Sequence, residues 1–180
     1  MKPLYVAAAP EVGREDLLLV RNRLEREFDQ PVHEMEIPAL DFAFHHDRRQ
    51  WGSIPVLEML VRICPDDAGK LLAVTDRDLF VPVLTFVFGQ AQLGGRTAVV
   101  SLARLRQEFY GLPPNREVFE ERVSKETLHE TGHMFGLVHC AEPGCAMSLA
   151  TNIRQIDAKQ PAYCAICAAQ LRRGDKGVKA

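Results

Sequence analysis

Long apolar runs are missing from this 180-residue chain. No stretch approaches the ~20 consecutive apolar residues that a membrane-spanning helix needs, so a membrane partner is not expected. Charge of one sign is missing as well: 22 Lys and Arg against 24 Asp and Glu leave a formal charge of -2, with no broad basic field to hold nucleic acid. The chain has no G-x-S-x-G elbow and no cysteine free of other duty beside a histidine, so covalent catalysis lacks a carrier. Internal repeats and low-complexity blocks are absent too. Cysteine is scarce and unevenly placed, with five in all and only Cys64 before residue 140. That distribution is not a secreted disulfide framework, and the cytoplasm is the expected compartment. The opening, MKPLYVAAAP, has one lysine and an apolar run too brief for a leader, and reads as a strand. A single domain and a monomer are expected at this length.

What is present is an α/β alternation. Leu4 to Ala9 predicts a buried strand, and Leu17, Leu18, Val20, Leu24 and Phe28 recur at helical spacing after it. Pro31 to Ile37 predicts a second strand. Asp41 to Trp51 reads as a polar connection whose His45 and His46 are a solvated loop pair. Ser53 is a candidate N-cap for a helix carrying Val56, Leu60 and Cys64 on one side, which puts Cys64 in the core. Leu71 to Thr75, Leu84 to Phe88 and Thr97 to Leu102 read as three further strands, while Gly89 to Gly95 (GQAQLGG) does not suit a core strand. Pro113 and Pro114 then break the chain, Asn115 can cap, and a helix is expected to about Phe135. Its apolar residues form no single stripe, as in a helix buried on several sides. The tail from Arg172 to Ala180 is expected to fray.

That helix carries ETLHETGHMFGLVHC, Glu126 to Cys140. His129 and His133, four apart, share one helical face and can give two nitrogens to one cation. Glu130 is badly placed to bind the same ion but well placed to reach a water beside it, the position of a general base. His139 can become the third ligand only if the chain turns sharply first, and Gly136 lies where left-handed backbone is needed for that turn. The extended pattern H-E-x-x-H-x-x-G-x-x-H is one geometric device, far more specific than a lone H-E-x-x-H. An ordinary buried helix with three satisfied histidines is the competing reading.

Cys140, Cys145, Cys164 and Cys167 form a C-x4-C pair and, after a loop, a C-x2-C pair. Two such pairs suit one closed tetrahedral zinc site with no position open for chemistry, so its role is structural. Two zinc ions per chain are therefore expected, one catalytic and one structural. Disulfides are the alternative. Because Cys140 directly follows His139, the two sites should be mechanically coupled.

HETGHMFGLVHC resembles the metzincin zinc peptidases, and its continuation through Cys140, Cys145, Met147, Cys164 and Cys167 resembles the archaemetzincin branch. The segment VTDRDLFVPVLTFVFGQA, Val74 to Ala91, is also similar to that family, so the resemblance spans most of the chain. One departure is Thr85, where the family commonly carries asparagine. The resemblance implies a metzincin-like mixed twisted sheet with helices and a zinc-binding active-site helix. It further implies an N-terminal subdomain to residue 136 and a small, irregular, zinc-stapled C-terminal subdomain from 137 to 180. Met147 would be the Met-turn methionine beneath the histidine zinc.

The implied activity is hydrolysis of peptide bonds by a zinc-activated water with Glu130 as general base and acid, on peptide or protein substrates, with aminopeptidase preference as a narrower expectation. Phe88 to Leu93 is the candidate strand for pairing with substrate. Ser148 to Pro161 is the candidate pocket wall, and Tyr163 is either a packing residue or an oxyanion donor. A non-proteolytic zinc-binding or structural protein that retains the site is the alternative function.

Overall fold

A computed structural model describes residues 2–174. Strand β1 (Leu4–Ala8), helix α1 (Arg14–Phe28) and strand β2 (Val32–Glu36) open the chain, followed by β3 (Phe44–His45), β4 (Gln50–Gly52) and α2 (Ser53–Ile63). Then come β5 (Lys70–Thr75), β6 (Leu79–Phe80), β7 (Gly89–Ala91) and β8 (Thr97–Ser101). The long helix α3 (Arg116–Met134) and two short ones, α4 (Ile153–Ala158) and α5 (Ala165–Gly174), complete it. The main sheet has the order β2-β1-β5-β8-β7, parallel except for β7, which runs antiparallel along the edge.

The parallel strands read as continuous apolar runs because both of their faces are covered. In β5, Leu72 and Val74 point to the layer formed by α1 and α3, while Leu71 and Ala73 point to the layer formed by α2. Period-two alternation in β1 and β8 divides their side chains the same way. Helix α3 is enclosed from Arg122 to Gly132, as its lack of a clean stripe predicts. One buried charge on it is fully answered: Arg122 makes two hydrogen bonds to Asp157, at 2.7 and 2.8 Å, and a third to the Leu105 carbonyl at 3.0 Å.

Several local expectations need correction. Residues 84–88 are not a strand. The chain turns there, and the edge strand is formed instead by Gly89–Ala91, where small residues admit a close neighbour below the sheet. Within the supposed polar connection, β3 and β4 pair and join β6 in a second, three-stranded sheet, with Phe44 packed on Trp51. The cap of α2 is Gly52; the Ser53 hydroxyl is buried and donates to the Phe80 carbonyl at 3.0 Å. Cys64 packs half-buried at the end of α2. His45 and His46 are exposed and belong to no metal-competent cluster among the described residues. Of the tail expected to fray, Arg172 to Gly174 form the end of α5, and the rest, from residue 175, lies outside the described residues.

Among the described residues past Gly136 no strand joins either sheet, and Ile156 of α4 reaches back into the main core. The small cluster of that region is Leu137, Cys145, Met147 and Cys167, with Cys140, Tyr163, Cys164 and Leu171 against it. It has few ordinary apolar residues.

Candidate metal centres and active-site cleft

The Asn115 side chain accepts from the Val118 amide at 3.1 Å and starts α3. The end of the helix is equally well defined. Gly136 adopts φ +88°; its amide reaches the His133 carbonyl and the Leu137 amide reaches the Gly132 carbonyl, both at 2.9 Å. This is a Schellman closure, which few residues but glycine tolerate. It turns the chain so that His139 comes back beside His129 and His133, and one ring nitrogen from each of the three lies within 4.8 Å of the others.

The His129 and His133 rings are committed. Nδ1 of His129 lies 2.8 Å from the Ala146 carbonyl and Nδ1 of His133 lies 2.7 Å from the Leu137 carbonyl. A carbonyl can only accept, so both Nδ1 atoms carry hydrogen and both Nε2 atoms present lone pairs. Those two Nε2 atoms face each other at 3.1 Å. Two acceptors at that distance repel unless a cation lies between them, and tetrahedral zinc with Zn–N bonds of ~2.0–2.1 Å would separate its nitrogens by about 3.3 Å. Burial holds all three imidazoles below their ordinary pKa, His129 furthest, which favours the neutral ligand form.

Glu130 is buried, and its Oε2 has no hydrogen-bond partner. Burial raises its pKa well above the carboxylate range; neighbouring Glu126 pushes the same way and Lys159 opposes both. Strand β7 presses on it: a Cβ placed on Gly89 would lie 2.6 Å from Glu130 Cγ and Oε1. Beneath the helix, Met147 is fully buried, and a Cβ on Gly132, between the two helical histidines, would meet its sulfur at 2.4 Å.

The four late cysteines also converge, with one sulfur from each within 4.8 Å of the others, and none of the chain's cysteines is in a disulfide. Cys140 and Cys164 sulfurs stand 3.8 Å apart. Corners of a tetrahedron with Zn–S bonds of ~2.3 Å would be about 3.8 Å apart. Backbone amides point at the sulfurs as they would at thiolates: Glu142 to Cys140 at 3.4 Å, Met147 to Cys145 at 3.4 Å, and Cys164 to Cys145 at 3.3 Å. A hydrogen bond donated by the Cys167 backbone amide, in the first turn of α5, lowers the Cys164 thiol to about 7, while burial raises Cys145 and Cys167. The donor sets fit zinc at both places.

The family model for peptidase family M54 matches residues 56–173. The chain belongs to this family, the archaemetzincins. It is 40% identical over 159 residues to an archaemetzincin of Methanocaldococcus jannaschii, with 86% of each chain covered. The crystal structure of an archaemetzincin from Methanopyrus kandleri superposes with a TM-score of 0.84 at 32% identity, covering 98% of this chain and 97% of the other. A zinc-dependent peptidase from Methanocorpusculum labreanum superposes at 0.79 and 30% identity, covering 93% and 99%. This archaemetzincin is thus a zinc metallopeptidase, and its mixed twisted sheet is the fold of its solved relatives.

A cleft of about 470 Å³ runs over the archaemetzincin histidines. Gly89, Gln90 and Ala91 line it on one side, Leu149 to Thr151 on the other, with Val138 and His139 between. The rest of the expected wall, residues 152–161, turns away into α4, where Asp157 holds Arg122. Tyr163 is no oxyanion donor here: its hydroxyl donates to the Leu128 carbonyl at 2.7 Å and its ring lies in the C-terminal cluster. Thr85 lines the cleft, and its carbonyl accepts from Gln50 at 3.0 Å. No described helix is long and apolar enough to cross a membrane.

Sequence reasoning missed two residues. Glu126 lines the cleft one helical turn before Glu130, and its i, i+4 spacing was the available signal. Lys159 is 1% exposed and reaches the Ala146 carbonyl, the acceptor used by His129, at 3.4 Å. Nothing at the level of sequence marks that lysine as buried.

Proposed function

We propose that this archaemetzincin cuts peptide bonds in one catalytic unit spanning residues 1–180, with His129, His133 and His139 holding a catalytic zinc ion and Glu130 moving the protons. Cys140, Cys145, Cys164 and Cys167 would hold a second, structural zinc, and Met147 would be the Met-turn residue, its thioether under the histidine site. Zinc bound by three neutral imidazoles supplies a positive centre that acidifies water and polarises a carbonyl. Glu130 takes the proton at its unpartnered oxygen and returns it to the departing amine. The absence of a side chain at Gly89 leaves the room that the carboxylate occupies against β7.

An extended peptide pairs with the free edge of β7, adding a strand to the sheet. Leu149, Ala150 and Thr151 bound the side-chain pocket. Peptides with a free amino end are the preferred substrates, and the enzyme works as a cytoplasmic monomer. The observation that carries this reading is the pair of Nε2 lone pairs 3.1 Å apart beside a buried carboxylate in an accessible cleft.

The test is elemental analysis of protein purified without added zinc, together with cleavage of a mixed peptide library. Wild type should contain about two zinc ions per chain, one for each donor set. His133→Ala should retain the cysteine-bound ion alone, and Glu130→Ala should retain both yet cut nothing. Cleavage by Glu130→Ala would remove its assigned role, while two zinc ions and no cleavage by wild type would favour a binding protein.

A further inference from the structure

Helix α3 offers the cleft two carboxylates. Glu126 stands four residues before Glu130 on the same helical face and lines the same cleft. It is 3% exposed, and its Oε1 has no hydrogen-bond partner. Lys159 Nζ is 3.6 Å from that oxygen, too far for a good hydrogen bond, and its own bond goes to the Ala146 carbonyl at 3.4 Å. Lys159 offsets the charge of Glu126 from behind without saturating it. A buried carboxylate in that condition retains acceptor capacity whose use is strongly favoured. Of this pair only Glu126 lines the cleft, so it is the carboxylate and not Lys159 that a ligand meets.

Much of the cleft that Glu126 lines is apolar, with Phe86, Val87, Phe88, Leu149 and Ala150 among its walls. Apolar walls leading to a carboxylate suit a group with a hydrocarbon stem and a cationic head. An acidic side chain would instead face Glu126 and Glu130 together, and a neutral apolar one would fill the space while leaving the carboxylate unanswered.

We propose that Glu126 is a specificity-determining residue that binds a cationic group of the peptide beside the scissile bond. The group is an alkylammonium or guanidinium, carried either by a lysine or arginine side chain or by the peptide's free amino end. This inference rests on the peptidase reading above and identifies what that cleft selects.

Two substrate series separate the sources, each measured on zinc-loaded protein. In the first, N-acetylated peptides carry arginine, norleucine or glutamate at the positions flanking the cut. In the second, norleucine peptides have free or acetylated amino ends. Wild type should favour the cation in at least one series by about 10- to 100-fold in kcat/KM, the scale of one charge-assisted hydrogen bond. Glu126→Gln should bring that ratio close to unity. Since this variant leaves Lys159 unpaired, Glu126→Gln combined with Lys159→Met removes both charges and should abolish the preference in the same way.

Calorimetric binding of the same peptides to Glu130→Gln reads the ratio without turnover, so an error about Glu130 stays distinguishable from an error about Glu126. No cation preference in either series for wild type, or a preference that survives in both Glu126 variants, would overturn the inference. Preference for the free amino end alone would assign the cation to the main chain, and preference for arginine alone would assign it to the side chain.

Discussion

The two candidate metal centres are neighbours in sequence, with His139 next to Cys140, and they are built on opposite principles. Two of the three histidines stand on a helix enclosed by the α/β core, and the cluster opens on a cleft; His139 itself is exposed. The four cysteines come from turns and the start of α5, the Cys140 and Cys145 sulfurs receive backbone amides, and the four make up much of their own apolar cluster. The first centre borrows its order from the fold around it, whereas the second must create order where the fold supplies little. Emptying them should therefore have different consequences: loss of activity in one case, loss of structure in the other.

The largest expected effect is His133→Ala, which should abolish peptide hydrolysis and remove the histidine-bound zinc while amide exchange in β1, β5 and β8 stays as slow as in wild type. Loss of the sheet's protection would show that the first centre also supports the fold. Glu130→Gln should follow, reducing kcat by about 10²- to 10⁴-fold with zinc content unchanged. Cys145→Ser reverses the pattern. Hydrogen exchange should speed up across residues 137–174, since the free energy of metal binding is there the free energy of folding. Because Ala146 lies in that segment and orients His129, zinc affinity at the histidines should also fall by about 10- to 100-fold. Unchanged affinity would mean the two centres are independent.

Gly89→Ala probes the cleft alone. Its new methyl group would displace the Glu130 carboxylate, and about a 100-fold loss in kcat/KM is expected, with both zinc ions retained. The smallest effect lies far from either metal. Hydrogen bonding to Arg14, then to Arg21, holds Glu34 below the usual carboxylate range against the opposing effect of burial. A folded-state pKa below the unfolded one stabilises above the unfolded value and is lost as pH falls through the folded value. Glu34→Gln should thus cost about 0–1 kcal/mol at pH 7 in denaturant melts and nothing at strongly acid pH.

The histidine centre was legible in sequence because a helix converts spacing into direction: His129 and His133 had to share a face, and Gly136 had to turn the chain. The cysteine pairs were legible for a similar reason, through tight turns. Contacts between distant segments were not. Leu84 to Phe88 has the apolar content of a strand, yet the edge of the sheet falls on Gly89–Ala91, where Glu130 leaves no room for a side chain at Gly89. Lys159 looks like a surface residue until α4 folds it behind Ala146. Ser53 resembles a cap, but Phe80 offers its hydroxyl a buried carbonyl.

The hairpin turn after β7 is tied to the end of α3: the Gly94 amide donates to the His133 carbonyl at 2.9 Å, and Lys70 bridges the Gly95 and Met134 carbonyls at 2.8 and 2.7 Å. The proposed docking edge and the helix of two metal-competent histidines are thereby clamped as one rigid gauge. A peptide lying along that edge has its main chain set at a fixed offset from the histidine cluster before any side chain is read. Loop insertions placed between residues 91 and 97 would release the gauge, so variation that retunes substrate choice is better tolerated on the opposite bank, at Leu149 to Thr151.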